Sequence, residues 1–150
     1  MNVVLVEPEI PPNTGSIARL CAATLTTLHL VAPLGFKIDD KHLKRAGLDY
    51  WEYVDLRLHD SWEDFVKEHA QKRLLFFSKK ALLSYTKAAY AEDAFLVFGP
   101  ETRGLSQELL DANRERAYKI PMMGQGVRSL NLSNAVSVVV YEALRQLGKV

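Results

Sequence analysis

The sequence predicts an α/β fold with a mainly parallel sheet flanked by helices. Three observations carry this. Apolar, β-branched or aromatic runs such as "NVVLV", "RLLFFS" and "AFLVFG" recur along the chain. Helical patterns such as "SWEDFVKEHA" fall between them. Strands alternating with helices are the signature of βαβ units. Finally, 150 residues with 48% hydrophobic and 25% charged content match one ordinary globular domain, expected to span residues 1–150. A chain of this size buries roughly 70% of its unfolded surface, so it needs no disulfide or metal to fold.

Taken in order, "NVVLV" (2–6) reads as a buried strand. "TGSIARLCAATL" (14–25) reads as a helix with Ile17, Leu20, Cys21 and Leu25 on one face and Asn13 or Thr14 as its cap. "LHLV" (28–31) is a short strand, "DKHLKRAG" a helical turn ended by Gly47, and "YVDLRL" a weak strand. "SWEDFVKEHA" (61–70) places Trp62, Phe65, Val66 and His69 at helical spacing, with Ser61 and Asp64 close to a capping box. "RLLFFS" and "AFLVFG" are strands, "SQELLDAN" a helix capped by Ser106, and "RAYKIPM" a strand that Pro121 ends.

The last segment sets propensity against pattern. Four valines in positions 136–140 favour a strand, whereas "YEALRQLG" is helical, Glu142 can pair with Arg145, and Gly148 suits a helix end. One helix from Leu132 to Leu147 is expected, buried nearly all round, with Asn131 or Ser133 at its start.

Several function classes are excluded or disfavoured. The chain has no GxxxxGK[ST], HExxH, CxxC or GxSxG. "GQGVRS" (124–129) imitates a dinucleotide fingerprint but lacks its last glycine. The histidines at 29, 42, 59 and 69 lack metal-ligand spacing, and His69 is expected to pack at the end of its helix. No apolar run is long enough to span a bilayer, and "MNVVLVEPEI" lacks the basic start of a signal peptide. One cysteine, Cys21, excludes an internal disulfide and fits a reducing cytoplasm. With a net charge of +1, a nucleic-acid partner requires local basic patches. Two segments offer them: Lys37, Lys41, Lys44 and Arg45, and then Arg114, Arg116 and Lys119.

Three loop clusters follow strands, where parallel sheets place their ligands. "EPEIPPNTGSIAR" carries Arg19 on a helix face with the small residues Gly15, Ala18 and Ala22 around it. "FGPETRGL" (98–105) is a tight loop in which Glu101 can accept from hydroxyls or amides. "IPMMGQGVRSLNLSN" offers backbone amides and carbonyls to a planar base, between Met122 and Leu130 as apolar walls. Together they point to a pocket for a nucleotide-like ligand.

In this order, "EPEIPPNTGSIARLCA", "RAGLDYWEY", "FGPETRGL", "IPM" and "RSLNLSNAVSVVVYEALRQLG" resemble the SPOUT (SpoU–TrmD) superfamily of RNA methyltransferases. Within it they look closest to the small bacterial tRNA 2′-O-methyltransferases acting on the wobble cytidine or uridine. The resemblance implies a deep C-terminal trefoil knot and a homodimer. It also implies methyl transfer from S-adenosylmethionine, leaving S-adenosylhomocysteine, with no metal. By position, the cofactor would lie among Phe77, Ser78, Gly99, Glu101, Gly104, Ile120, Met122, Ser129, Leu130 and Asn131. Arg19 matches the family's reactive arginine, with Asn13 beside it. The helix 14–25 and the C-terminal helix, with Tyr141, Leu144 and Leu147, would form the dimer interface. Lys41, Lys44 and Arg45 would bind the anticodon stem-loop of tRNA. Two other readings compete with this one: the same chemistry on ribosomal RNA, and a silent RNA-binding module. The loop "MGQGV" departs from the branch in its two glycines and about one extra residue.

Overall fold

The computed structural model describes residues 1–39 and 50–150. Lys41, Lys44, Arg45, His42 and the helical turn expected at "DKHLKRAG" lie outside the described residues. Seven strands form one parallel sheet in the order β3-β2-β1-β6-β4-β7-β5. The strands are β1 (Asn2–Val6), β2 (Thr27–Val31), β3 (Leu56–His59), β4 (Leu74–Phe77), β5 (Leu83–Ser84), β6 (Phe95–Phe98) and β7 (Ala117–Lys119). Among the described residues the α-helices are α1 (Pro11–Thr24), α2 (Trp62–Glu68), α3 (Gln107–Ala112) and α4 (Leu132–Gln146). The sequence patterns locate all of these except β5, a two-residue edge strand too short to show a period.

Both faces of the sheet are covered, which is why β1, β4 and β6 read as unbroken apolar runs. One face presents Val3, Leu5, Leu28, Leu30, Leu75, Phe77, Leu96 and Phe98 to Ile17, Ala18 and Cys21 of α1 and to Val136, Val139, Val140 and Ala143 of α4. The other presents Val4, Val6, Phe76 and Val97 to Phe65 of α2 and Leu110 of α3. Each such side chain contributes about 1.5–3 kcal/mol relative to an exposed one. Burial pushes the Cys21 thiol up to about 12, so this cysteine packs as a small apolar group rather than acting as a nucleophile.

Local caps follow the sequence. Ser61 Oγ accepts from Asp64 N–H at 3.0 Å, and Ser106 Oγ accepts from Leu109 N–H at 3.2 Å. Asn131 Oδ1 accepts from Ser133 N–H at 2.9 Å and opens α4. Arg145 donates to both oxygens of Glu142 at 2.8 and 2.9 Å, and Gly148 follows the helix with φ 67°. Three expectations need correction. Leu25 does not share the buried face of α1: it follows the helix end with φ 52° and is 94% exposed. Helix α1 begins at Pro11, so Asn13 and Thr14 lie inside its first turn and do not cap it. Helix α4 is not buried all round: Asn134, Val138, Tyr141 and Arg145 form an exposed stripe, while Leu144 is 8% exposed and belongs to the core. The valines of α4 survive in a helix because Val136, Val139 and Val140 are fully buried, and packing outweighs propensity.

The second face also gathers three histidines that are far apart in sequence. His69 Nδ1 lies 2.9 Å from the carbonyl of Phe65, at the end of α2 as its spacing suggests. His29 Nδ1 and His59 Nε2 are 2.9 Å apart, and His29 Nε2 is 3.2 Å from Asn2 Oδ1. The amide oxygen only accepts, so His29 holds its proton on Nε2 and accepts from His59 Nε2–H. A second proton on His29 would set two N–H groups against each other. Burial, then the neighbouring His59 and His69, lower the pKa of His29 to about 4. Because the unfolded chain binds this proton near the ordinary value of 6.5, stability is full above that pH. It falls as pH drops from 6.5 towards 4, by at most about 3 kcal/mol. Chemical denaturation at pH 7, 5.5 and 4.5 should show this fall, and His29→Gln should flatten it. An equally steep profile in that variant would assign the loss elsewhere. Among the described residues no group of three or more His, Cys, Asp or Glu is arranged to hold a metal ion.

Candidate active site

The chain runs outward from β1 to β3, returns on the other side, and inserts β6 beside β1. Leu5 pairs with Phe98, so the loops leaving β1 and β6 emerge side by side at the carboxyl end of the sheet. Such a reversal of strand order opens a crevice. Here the two loops clasp one another across it. Glu101 Oε2 accepts from Glu9 N–H at 2.8 Å, and Glu101 Oε1 accepts from Ile10 N–H at 3.1 Å and from Asn13 Nδ2 at 3.2 Å. In return Glu9 accepts from Thr102 N–H at 3.1 Å and from its hydroxyl at 3.0 Å. Arg103 adds an ion pair to Glu7.

The clasp explains how α1 starts. Pro11 and Pro12 carry no N–H, which removes two donors that a first helical turn leaves without partners. Ile10, at the cap position, has no side-chain acceptor of its own. The first free N–H groups of the helix, those of Asn13 and Thr14, donate to the Ile10 carbonyl at 3.1 and 3.3 Å. Glu101 of another loop receives the N–H of Ile10 itself, and its negative charge suits the positive end of the helix. The third cluster joins through asparagine. Asn131 Nδ2 donates to Asn13 Oδ1 at 2.9 Å, and Asn131 Oδ1 accepts from Ser133 N–H and Oγ–H at 2.9 and 2.6 Å. Asn13 is 7% exposed, so its amide is held at both ends inside the protein.

Removing the Glu101 carboxylate therefore leaves the N–H groups of Glu9 and Ile10 and the Asn13 amide without their acceptor. We expect Glu101→Ala to lose about 1–3 kcal/mol of stability, the cost of donors left unsatisfied. Urea unfolding measures it; a midpoint unchanged from the parent chain would show that water replaces the carboxylate freely.

Above the clasp lies a cavity of about 370 Å³. Phe77, Ser78, Gly99, Glu101, Gly104, Ile120, Met122, Ser129, Leu130 and Asn131 all line it, and so does Asn13. These are the positions that the sequence assigns to cofactor binding, together with one of the pair assigned to the reaction. The walls combine the rings of Phe77, Phe98 and Tyr118 with Ile120, Met122 and Leu130, and polar atoms come from Ser78, Ser129 and Asn131. Sequence reasoning missed Lys79, Lys80 and Arg128, which also line the cavity. The Lys80 ammonium is spent on the carbonyls of Arg103 and Leu105, at 3.4 and 3.3 Å.

The glycines of "FGPETRGL" have separate reasons. A Cβ on Gly99 would lie 2.3 Å from Leu105 N and 2.4 Å from Gly104 C, so here backbone meets backbone. Gly104 has φ 67° and its N–H donates to the Pro100 carbonyl at 2.8 Å, closing the turn. A valine at 104 would therefore strain the turn as well as intrude on the cavity, and it is not a clean probe of ligand binding.

Arg19 does not line the cavity. It lies exposed on the outer side of α1, although Gly15 and Ala18 near it are buried. Arg19 follows Asn13 by six residues, about 9 Å along the helix axis. Its guanidinium donates to the Tyr50 hydroxyl at 2.8 Å and sits 4.3 Å from the centre of that ring.

A parallel sheet with a nucleoside-sized cavity at its carboxyl edge defines the general class, and comparison with known proteins gives the family. Residues 1–141 match the SpoU rRNA Methylase family, and the chain belongs to it. The tRNA (cytidine(34)-2′-O)-methyltransferase of Saccharophagus degradans is 52% identical over 148 residues, covering 98% of this chain and 96% of that protein. The enzyme of the same description from Escherichia coli K12 is 50% identical, covering 99% and 94%. A solved structure concerned with 2-OH methylation of C/U34 on tRNA superposes with a TM-score of 0.92 at 50% identity, over 98% of this chain and 95% of that one.

Proposed function

We propose that this protein methylates the ribose 2′-hydroxyl of the wobble cytidine or uridine in the anticodon loop of tRNA, using S-adenosylmethionine. One observation carries the reading. Three loop clusters converge on a single cavity, in a chain half identical along nearly its whole length to enzymes of that description. The family's name refers to rRNA, but the relatives at this identity act on tRNA, and the substrate assignment follows them.

The cavity suits the cofactor. Phe77, Ile120, Met122 and Leu130 offer apolar contact to a base, and Ser78, Ser129 and the loop backbone offer polar contact to a sugar. When bound, S-adenosylmethionine supplies an electrophilic methyl group and leaves as S-adenosylhomocysteine. The protein's part is to position and stabilise. Glu101, Asn13 and Asn131 hold the three loops in register. A guanidinium donates hydrogen bonds and does not accept a proton, so Arg19 is no general base. It fixes a backbone phosphate and stabilises negative charge developing on the ribose oxygen, whose proton passes to that phosphate or to solvent. Alignment of hydroxyl and methyl accounts for several kcal/mol of the barrier.

The same reading includes a knotted path for the C-terminal segment and a homodimer, in a single cytoplasmic domain. Among the described residues no helix is long and apolar enough to cross a membrane. For the dimer the support is the exposed stripe of α4, with Val138 36% and Tyr141 50% exposed, beside the outer face of α1. Val138→Glu with Tyr141→Glu should yield a folded monomer in sedimentation at micromolar concentration. A parent chain that sediments as a monomer would remove the dimer from the reading. Lys41, Lys44 and Arg45 remain the RNA-binding residues in this proposal. Function is tested by labelled methyl transfer to separated tRNA and ribosomal RNA, followed by nucleotide mapping. Label at ribose 34 of tRNA is the expected result. Label on ribosomal RNA alone would overturn the substrate, and no transfer to either would favour a silent RNA-binding module.

A further inference from the structure

We infer that Tyr50 is a positioning residue for Arg19, aiming the guanidinium at the phosphate of the substrate strand. The inference rests on the role proposed for Arg19 but comes from separate observations. Arg19 Nη2 donates to the Tyr50 hydroxyl at 2.8 Å, and the guanidinium carbon lies 4.3 Å from the centre of the same ring. The hydrogen bond fixes rotation within the guanidinium plane, and the stack fixes the plane itself. One partner therefore sets both. Among the described residues no carboxylate pairs with Arg19, so its charge is not neutralised by these contacts. Among the described residues one of its five N–H donors is used, and a phosphate accepts the bidentate fork that a guanidinium offers. An exposed arginine otherwise spreads over many rotamers, and a phosphate would have to select one of them on binding.

Tyr50 is itself placed by the fold. It opens the turn at Trp51–Tyr53, where Tyr53 N–H donates to the Tyr50 carbonyl at 3.0 Å and Val54 N–H to the Trp51 carbonyl at 3.2 Å. Trp51 and Val54 pack against the core that α1 covers. The turn is thus anchored beneath, and its half-exposed tyrosine meets α1 at the level of Arg19. No other motif of the sequence accounts for a tyrosine here. Among the described residues of "RAGLDYWEY", 50–53, none lines the cavity.

The experiment is a double-mutant cycle on methyl transfer to a synthetic anticodon stem-loop RNA, with cofactor affinity measured by calorimetry. Tyr50→Ala should lower kcat by about 10–30-fold and leave cofactor affinity unchanged, while Tyr50→Phe, which keeps the stack, should lose about threefold. In an Arg19→Ala background, Tyr50→Ala should cost nothing further. Parent-like kcat in Tyr50→Ala, or the same loss with and without Arg19, overturns the inference. If Arg19→Ala is itself fully active, it is the proposed role of Arg19 that fails. A readout that needs no activity decides the contact in that case. The Arg19 Nε–H group should show ordered ¹⁵N relaxation in the parent chain and a flexible side chain in Tyr50→Ala. Identical relaxation in both would overturn the inference.

Discussion

Arg19→Ala is expected to reduce methyl transfer by about 10²–10³-fold, the usual cost of removing one donor aimed at developing charge. Cofactor affinity should stay near that of the parent chain, because Arg19 lies outside the cavity and touches none of the loops that line it. Arg19→Lys should recover little. A lysine carries a point charge and cannot reproduce both the stack on Tyr50 and a planar fork. Single-turnover rates with saturating cofactor measure the loss, and calorimetry checks the affinity. A loss of cofactor binding equal to the loss of rate would move Arg19 into the cofactor site and contradict its position on α1.

Gly99→Ala is expected to damage both stability and cofactor binding. The added carbon would fall 2.3 Å from Leu105 N and 2.4 Å from Gly104 C, and neither is a side chain that can swing away. The loop has to open. Overpacking of this kind costs about 1–3 kcal/mol. The opening also carries Glu101 and Thr102 away from Glu9, Ile10 and Asn13, so the clasp loosens as a unit. Cofactor affinity should fall by about tenfold or more, the equivalent of 1.4 kcal/mol. Thermal unfolding and calorimetry report the two effects separately. Parent-like values in both would mean that the loop is far more plastic than its packing indicates.

Patterns that repeat within one element are legible in the sequence. Alternating strands and helices, the Ser61 and Ser106 caps and the Glu142–Arg145 pair all depend on neighbours a few residues away. Cavity residues are reachable through family resemblance, because motifs keep their order even when spacing says nothing of their meeting. What escapes depends on topology. Glu101 stands 91 residues from the Ile10 amide it receives, and no local rule ties the start of a helix to a carboxylate at such a distance. That is why Asn13 and Thr14 look like caps in the sequence, although they sit in the first turn. The α4 stripe is hidden for a related reason: a valine run does not reveal which valine faces away from the sheet. Arg19 and Tyr50 are 31 residues apart, and their meeting requires the turn before β3 to pack beneath α1.

The Asn13–Asn131 contact joins residues 118 apart and has a consequence for synthesis. During translation β1, β2 and β6 leave the ribosome well before α4 does. Until then Val3, Leu5, Leu28 and Leu96 lack half of their cover, and the cavity lacks the wall formed by Ser129, Leu130 and Asn131. A nascent chain therefore has neither a closed core nor a complete site, and ligand cannot stabilise it at that stage. Both arrive together with the last helix. Truncation within α4 should thus abolish folding and binding in one step, and an aggregation-prone interval ends only when that helix docks.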